Sequence, residues 1–122
     1  MFRLLWLFLL SAFLHGAELP ARPYALVKQE IGKGQVVMIE AGSTMCRACR
    51  EMGELLAYQM QRNPKRKIFF IDVAKERDAA RAMKVLMIPT QIVYDGQGRE
   101  IDRHVGGMSA QELKQFLAKH GI

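Results

Sequence analysis

Both cysteines of this 122-residue chain lie in one short stretch, Met45-Cys46-Arg47-Ala48-Cys49-Arg50. A run of apolar residues at 36–39 precedes them, and apolar residues recur at helical spacing from 49 to 60. These patterns predict that the pair lies between a strand buried on both faces and a helix. A close cysteine pair in that setting can cycle between a dithiol and a disulfide.

Other uses of the pair fit the sequence less well. A structural disulfide closing so small a loop gains little chain entropy. A zinc site needs four ligands, and only His104 and His120 remain as histidines after residue 17. Covalent haem attachment requires a histidine directly after the second cysteine, where this chain has Arg50. A redox-active pair is therefore the leading interpretation, with a structural disulfide as the alternative.

The N-terminus has the layout of a secretory signal peptide. Arg3 precedes an almost wholly apolar run at 4–14, and small residues follow at 16–17. The run is short for a membrane span, which takes about 20 residues. We therefore expect a signal peptide at 1–17, with an uncleaved anchor as the alternative. The expected location is periplasmic or otherwise exported, an oxidising environment suited to disulfide chemistry.

The rest of the chain, residues 18–122, is predicted to form a single domain after a short linker at 18–22. The formal net charge of the whole chain is +6. The basic residues are too scattered to indicate nucleic-acid binding, although they favour anionic partners or surfaces.

Patterning along this domain predicts four helices and four strands. Helices are expected at residues 24–31, 50–60, 76–84 and 109–120, and strands at 35–40, 68–73, 90–94 and 100–105. Asp95-Gly96-Gln97-Gly98 is a hairpin turn signal, and Ser109-Ala110-Gln111-Glu112 is a capping box that starts the last helix. The charged strand at 100–105 is expected at a sheet edge. The order indicates a βαβ crossover followed by a β-hairpin and a terminal helix.

Taken together, these features resemble the thioredoxin superfamily from about residue 36 to the C-terminus. A buried strand enters the Cys-Xaa-Xaa-Cys motif, Ile88-Pro89-Thr90 follows, and then come a glycine-bearing hairpin, Val105-Gly106 and a capped helix. The chain most resembles the periplasmic reductants, including the C-terminal domain of the transmembrane thiol-disulfide interchange protein. The resemblance implies a three-layer α/β sandwich, with a central mixed sheet of about four strands flanked by helices.

The two cysteines are expected to have different roles. Cys46 lies at the predicted helix N-terminus, where unpaired N–H groups and the helix dipole favour a thiolate. We expect Cys46 to be the exposed nucleophile, with Arg47 and Arg50 adding to the stabilisation of its charge. Cys49, one turn further in, would then attack Cys46 and release the reduced partner. No cofactor is expected beyond the Cys46–Cys49 pair itself.

Further roles are implied by the resemblance. Glu40 would exchange a proton with Cys49, because burial raises the pKa of a carboxylic acid; the alternative is an acid that faces water. The peptide bond before Pro89 would be cis, and Ile88 would offer its backbone to an extended substrate segment. The expected substrate contacts also include Met45, Arg47, Ala48 and Gly106. His104 is expected to be a surface strand residue rather than a proton carrier.

The chain departs from the family pattern around the motif. Met45 replaces a common tryptophan, and Arg47-Ala48 replaces the Gly-Pro of cytoplasmic thioredoxin. Glu40 stands where many members have a buried aspartate. The lysine that often accompanies this acid is absent, and Ile68 occupies its place. These departures argue against a general cytoplasmic thioredoxin function.

We therefore expect an exported thiol-disulfide oxidoreductase that reduces protein disulfides. By family comparison, strong oxidants insert a helical domain between the cysteines and the proline, and the 39 residues between Cys49 and Pro89 leave no room for one. The expected partners are disulfide-containing exported proteins, apocytochromes among them, and a membrane-embedded thiol electron donor. The protein is expected to be a monomer.

Two alternatives remain open at this point. One is a dedicated relay that passes electrons from a membrane thiol carrier to a single partner. The other is a redox-inactive binding or chaperone module with a locked disulfide. Only a redox role predicts rapid thiol–disulfide exchange.

Overall fold

A computed structural model describes residues 17–122. The predicted signal peptide lies outside the described residues, except for Ala17. The elements in chain order are α1 (Tyr24–Lys28), β1 (Val37–Gly42), α2 (Arg47–Arg62), β2 (Ile68–Asp72), α3 (Arg77–Ala82), β3 (Thr90–Tyr94), β4 (Glu100–Val105) and α4 (Ala110–His120). No helix within 17–122 is both long enough and apolar enough to cross a bilayer.

The four strands form one mixed sheet in the order β2-β1-β3-β4. β1 runs parallel to β2 and antiparallel to β3, and β3 pairs with β4 as an antiparallel hairpin. The predicted mixed sheet is confirmed, and so is the position of the charged strand β4 at an edge. The central strand β1, which is buried along its whole length, leads directly towards the cysteines.

Helices cover both faces of the sheet, which gives the predicted three layers. On one face, α1 and α3 pack against β1 through Val27, Ala79 and Met83. On the other face, the buried side chains of α2 and α4 pack against Met38 of β1; they are Met52, Leu56, Leu113 and Leu117. Alternate residues of β1 therefore serve two separate cores.

The main differences from the predicted bounds lie next to the cysteines. β1 continues to Gly42, whereas the strand was expected to end at residue 40. Its pairing explains the extension, because Ala41 lies opposite Ile71 of β2 and Thr90 of β3. α2 begins at Arg47, three residues before the predicted start. The helix therefore includes Cys49, and the connection between strand and helix is shorter than expected.

The segment at 18–22 was expected to be a linker, but it packs on the domain. The amide of Leu19 donates to the carbonyl of Gly53 at 3.1 Å, and that of Arg22 donates to the carbonyl of Phe70 at 2.8 Å. Ala21 also forms a parallel bridge with Phe70. The segment thereby satisfies backbone groups along the outer edge of β2, where no strand is paired among the described residues.

The predicted ends of the last helix are confirmed. The hydroxyl of Ser109 accepts from the amide of Glu112, and the Glu112 carboxylate accepts from the amide of Ser109, so the capping box is complete. Gly121 ends α4 with a left-handed φ of 67°, a conformation that glycine adopts at little cost. α4 is thus fixed at both ends where it covers the sheet.

Candidate active site

Cys46 and Cys49 form a disulfide at the N-terminus of α2, with their Cα atoms 5.1 Å apart. Cys46 is the N-cap residue and has an extended backbone conformation. Its sulfur accepts a hydrogen bond from the amide of Cys49 at 3.3 Å. In the reduced protein, the same N–H and the dipole of this 16-residue helix would stabilise a thiolate on Cys46.

Ser43 shapes the turn that brings the chain into α2. Its hydroxyl accepts from the amide of Met45 at 3.1 Å, and its carbonyl accepts from the amide of Cys46 at 3.2 Å. Ser43 is buried, with 4% of its surface exposed. The residue was missed at the sequence level, although a serine two positions before a turn residue is a known local turn signal.

The two cysteines differ in accessibility. Cys46 is half-buried, whereas only 5% of Cys49 is exposed. The backbone of Gly42 at the end of β1 lies directly against Cys49. Cys46 is therefore the cysteine nearer to solvent, while Cys49 is held between α2 and the sheet.

The residues around Cys46 are open to solvent. Met45 is 88% exposed, and Arg47, Ala48 and Arg50 are also exposed. Arg47 forms a surface ion pair with Glu51, at 3.3 Å between Nε and the carboxylate. Such pairs contribute little to stability, and this one partly neutralises the positive charge that was expected to favour the Cys46 thiolate.

Glu40 lies in the middle of β1 and is only 1% exposed. This burial excludes the alternative of an acid that faces water. Desolvation raises the pKa of the Glu40 carboxyl to about 8, and a hydrogen bond from Gln91 opposes the rise. Glu40 precedes Gly42 by two positions, so both project towards the face of β1 that carries Cys49. The acid therefore lies on the same face of β1 as the contact between Gly42 and Cys49, two residues earlier in the strand.

Gln91 of β3 is the polar partner of this acid, and it was also missed at the sequence level. Its Nε2 donates to both carboxylate oxygens of Glu40, at 3.2 and 3.0 Å. Ile68, which occupies the place of the family's lysine, pairs with Met38 and makes no polar contact with the acid. The sequence signal for Gln91 was a single amide residue next to the apolar residues Ile92 and Val93 of the strand.

The register of β1 and β3 determines where Pro89 lies relative to the cysteines. Ala41 pairs with Thr90, so Pro89 lies at the level of Gly42 and hence of Cys49. The Ile88–Pro89 peptide bond is cis, Pro89 is buried and Ile88 is 37% exposed. The site therefore brings the cysteines, the acid and the proline segment together at one end of the sheet.

Gly106 follows β4 and closes this end of the sheet. Its amide donates to the carbonyl of Pro89 at 2.7 Å. Its φ is +104°, and a Cβ atom placed on it would meet nothing within 4 Å. A glycine is favoured here because of this positive φ. No other part of the described chain comes close enough to exclude a side chain.

Two large apolar side chains next to the proline are strongly exposed and were not among the predicted contacts. Leu86 is 97% exposed and Met87 is 67% exposed. Met45, directly before Cys46, is a third exposed apolar side chain in the segments that carry the cysteines and the proline. Exposed apolar patches of this kind are typical of sites that bind other proteins.

Both histidines of the domain take part in hydrogen bonds. His104 was expected at the surface, but it is half-buried, with Nδ1 at 2.7 Å from Oε1 of Gln91. His120 contacts Asp102 at 2.8 Å. Within residues 17–122, no group of three or more His, Cys, Asp or Glu side chains is arranged to hold a metal ion.

Comparisons with known proteins agree with this geometry. No curated protein sequence matches the chain. Among solved structures, it is similar to a mutant thioredoxin from Halobacterium salinarum, with a TM-score of 0.72 and 17% identity over 86% of this chain and 91% of the other. It is also similar to a thioredoxin from Malassezia sympodialis, with a TM-score of 0.69 and 25% identity over 81% of this chain and 88% of the other.

A third similar structure, the thioredoxin NaTrxh from Nicotiana alata, has a TM-score of 0.70 and 23% identity over 80% of this chain and 84% of the other. The profile of a family described as a thioredoxin-like domain matches residues 25–121. The chain therefore belongs to the thioredoxin-like family, and its Cys46–Cys49 disulfide indicates a thiol–disulfide oxidoreductase.

Proposed function

We propose that this protein is an exported reductase of protein disulfides that acts through a Cys46/Cys49 dithiol–disulfide cycle. The observation that carries the proposal is the asymmetry of the pair. Cys46 is accessible at a helix N-terminus with an N–H directed at its sulfur, whereas Cys49 is buried. A nucleophile needs access and a stabilised thiolate, and a resolving cysteine needs only to reach the nucleophile.

The first half of the cycle forms a mixed disulfide. The Cys46 thiolate attacks one sulfur of the substrate disulfide, the substrate S–S bond breaks, and the leaving substrate thiolate takes a proton from solvent. We assign substrate contacts to Met45, Arg47 and Ala48, which are exposed next to Cys46, and to Ile88, whose backbone would pair with an extended substrate. Pro89 and Gly106 shape the same edge.

The second half releases the reduced substrate. Cys49 gives its proton to the Glu40 carboxylate and attacks the Cys46 sulfur, which breaks the S–S bond between Cys46 and the substrate. The second substrate thiolate leaves and takes a proton from solvent, and Glu40 releases its proton to solvent. The enzyme is left with the Cys46–Cys49 disulfide. Two electrons and two protons from an upstream dithiol, which we propose to be a membrane-embedded donor, regenerate the reduced pair. A raised pKa near 8 lets Glu40 bind and release this proton close to neutral pH.

The proposed setting rests on the sequence pattern at residues 1–17. In that setting the substrates are exported proteins with oxidised cysteine pairs, apocytochromes among them. Cell fractionation tests the location: the protein is expected in the periplasm or at the outer face of the membrane, and recovery in the cytoplasm alone would contradict export.

Insulin reduction with an added reductant tests the activity. The wild-type protein is expected to accelerate precipitation of the insulin B chain, and Cys46→Ser is expected to abolish the acceleration. Cys49→Ser is expected to accumulate a mixed disulfide through Cys46. A wild-type rate equal to the background, or a wild-type rate in Cys46→Ser, would refute the proposal and support a structural disulfide.

A further inference from the structure

One row of polar side chains crosses three strands of the sheet. Glu40 of β1 pairs with Gln91 of β3, and Gln91 pairs with His104 of β4. Residues directly opposite each other on neighbouring strands project towards the same face. The three side chains therefore lie side by side on the face covered by α2 and α4.

Hydrogen bonds join the row from end to end. Gln91 Nε2 donates to Glu40 at 3.2 and 3.0 Å, and Gln91 Oε1 lies 2.7 Å from Nδ1 of His104. Glu40 and Gln91 are essentially inaccessible, at 1% and 0% exposure. His104 is half-buried and lines a surface cavity. The row therefore connects the buried acid of β1 with a ring that lines a cavity at the protein surface.

We propose that Gln91 is a positioning residue for Glu40 and that, through its amide, the charge of Glu40 is coupled to the tautomer of His104. This inference rests on the proposed function, in which Glu40 exchanges a proton with Cys49. It adds two residues to the acid–base apparatus, neither of which touches the reacting sulfurs.

The coupling follows from the chemistry of the amide. An ionised carboxylate only accepts hydrogen bonds, so it requires the NH₂ end of Gln91. The carbonyl end must then face His104, and it accepts only if Nδ1 carries a proton. Ionised Glu40 thus favours the Nδ1–H tautomer of His104. The amide links the charge of Glu40 to the orientation of the hydrogen bond at His104, and no net proton passes along it.

Few charged groups compete with this coupling. Within the described residues, Gln91 provides the only polar side-chain bond to Glu40. Glu112 and Lys119 of α4 line the cavity at His104. On β4 itself, Asp102 is bonded to His120 and Lys119, and Arg103 is bonded to Glu100 and to the carbonyls of Met83 and Lys84. The ring of Phe116 packs edge-on against His104, at 6.3 Å between centroids.

The test is an NMR titration of the oxidised protein, in which the cysteines do not titrate. The ¹³C signal of the Glu40 carboxyl is followed against pH in the wild type, Gln91→Met and His104→Phe. Because a hydrogen bond to a charged group is worth about one to two pKa units, Gln91→Met is expected to move the Glu40 midpoint upward by about that amount. His104→Phe is expected to move it upward by less. Gln115→Met, which lines the same cavity outside the row, is the matched control and should leave it unchanged.

The tautomer of His104 is a second readout. A purely structural role of Gln91 would not predict that this tautomer changes. At a pH above the Glu40 midpoint, the ¹⁵N spectrum of the wild-type ring is expected to show the Nδ1–H tautomer, and Gln91→Met is expected to lose it. An Nε2–H tautomer in the wild type, or an unchanged Glu40 midpoint in folded Gln91→Met, would refute the coupling. If Gln91→Met fails to fold, an unchanged midpoint in His104→Phe refutes it instead.

The two proposals can fail separately. Glu40→Gln is compared with the wild type in the insulin assay as a function of pH. An unchanged pH profile would remove Glu40 from the proposed reaction, whatever the titrations show. A changed profile in Glu40→Gln, together with titrations that do not respond to Gln91→Met and His104→Phe, would keep Glu40 in the reaction and refute the role of the row.

Discussion

Gly42 and Cys49 are in direct contact, with no room for a side chain between them. A Cβ atom placed on Gly42 would lie 3.2 Å from both Cβ and Sγ of Cys49, and 3.4 Å from the ring of Phe70. The end of the central strand thus forms one wall of the pocket that holds the buried cysteine. Close packing of this kind leaves little freedom to absorb an added methyl group.

Gly42→Ala is expected to slow insulin reduction several-fold, because displacement of Cys49 by a few tenths of an ångström misaligns its attack on Cys46. Overpacking also costs about 1–3 kcal/mol of unfolding free energy. Gly107→Ala is the control, since a Cβ there meets nothing within 4 Å and the backbone needs no positive φ. Equal rates for Gly42→Ala and the wild type would show that the contact does not position Cys49.

Glu40 is expected to make stability fall as pH rises. Its pKa is raised from 4.5 to about 8 in the folded protein, so between these values the folded state holds a proton that the unfolded chain releases. The unfolding free energy should therefore decrease from about pH 4.5 to about pH 8 and level off above, by roughly 4–5 kcal/mol in total. Urea denaturation of the oxidised protein at pH 5 and pH 9 measures this difference.

Glu40→Gln keeps the size of the side chain and removes the titration. The variant is expected to lose most of the difference in unfolding free energy between pH 5 and pH 9. Glu54→Gln, on α2, is a control for removal of a carboxylate, and it should retain the wild-type difference. If Glu40→Gln retained it as well, the acid would not be the group that titrates over this range.

The capping box of α4 should contribute to stability but not to chemistry. Ser109→Ala removes the hydroxyl that accepts from the amide of Glu112. The loss is expected to be about 1 kcal/mol of unfolding free energy, measured by denaturant titration, with an unchanged rate of insulin reduction. Ser109→Thr keeps a capping hydroxyl and should lose much less. Equal losses in both variants would argue against the cap as the cause.

The architecture could be predicted because it depends on local patterns. The apolar run before Cys46, the turn at 95–98 and the box from Ser109 to Glu112 each specify one element from neighbouring residues alone. The cysteine pair indicated the position of the site for the same reason, because its two residues are close in the sequence. Strand ends were less predictable, because the extension of β1 to Gly42 depends on partners supplied by β2 and β3.

The supporting residues of the site could not be predicted because they act across the sheet. Gln91 is 51 positions from Glu40 and 13 from His104, and only the strand register makes them neighbours. Gly42 lies beyond the strand predicted at 35–40, and the sequence does not reveal its contact with Cys49. His104 looked like a surface residue because the sequence does not reveal that Phe116 of α4 covers it.

Leu86 offers a test of how the protein contacts its substrates. This side chain is 97% exposed and lies three positions before Pro89, so it contributes almost nothing to the core. Leu86→Ser is expected to leave the unfolding free energy within about 0.5 kcal/mol of the wild type. If the exposed apolar side chains next to Pro89 bind protein substrates, the same variant should raise KM for insulin several-fold and change kcat little. Leu26→Ser, at a 47% exposed position on α1, is the control away from the proline segment and should change neither constant. An unchanged KM in Leu86→Ser would place substrate binding elsewhere, whereas a loss of stability would show that Leu86 packs against the domain.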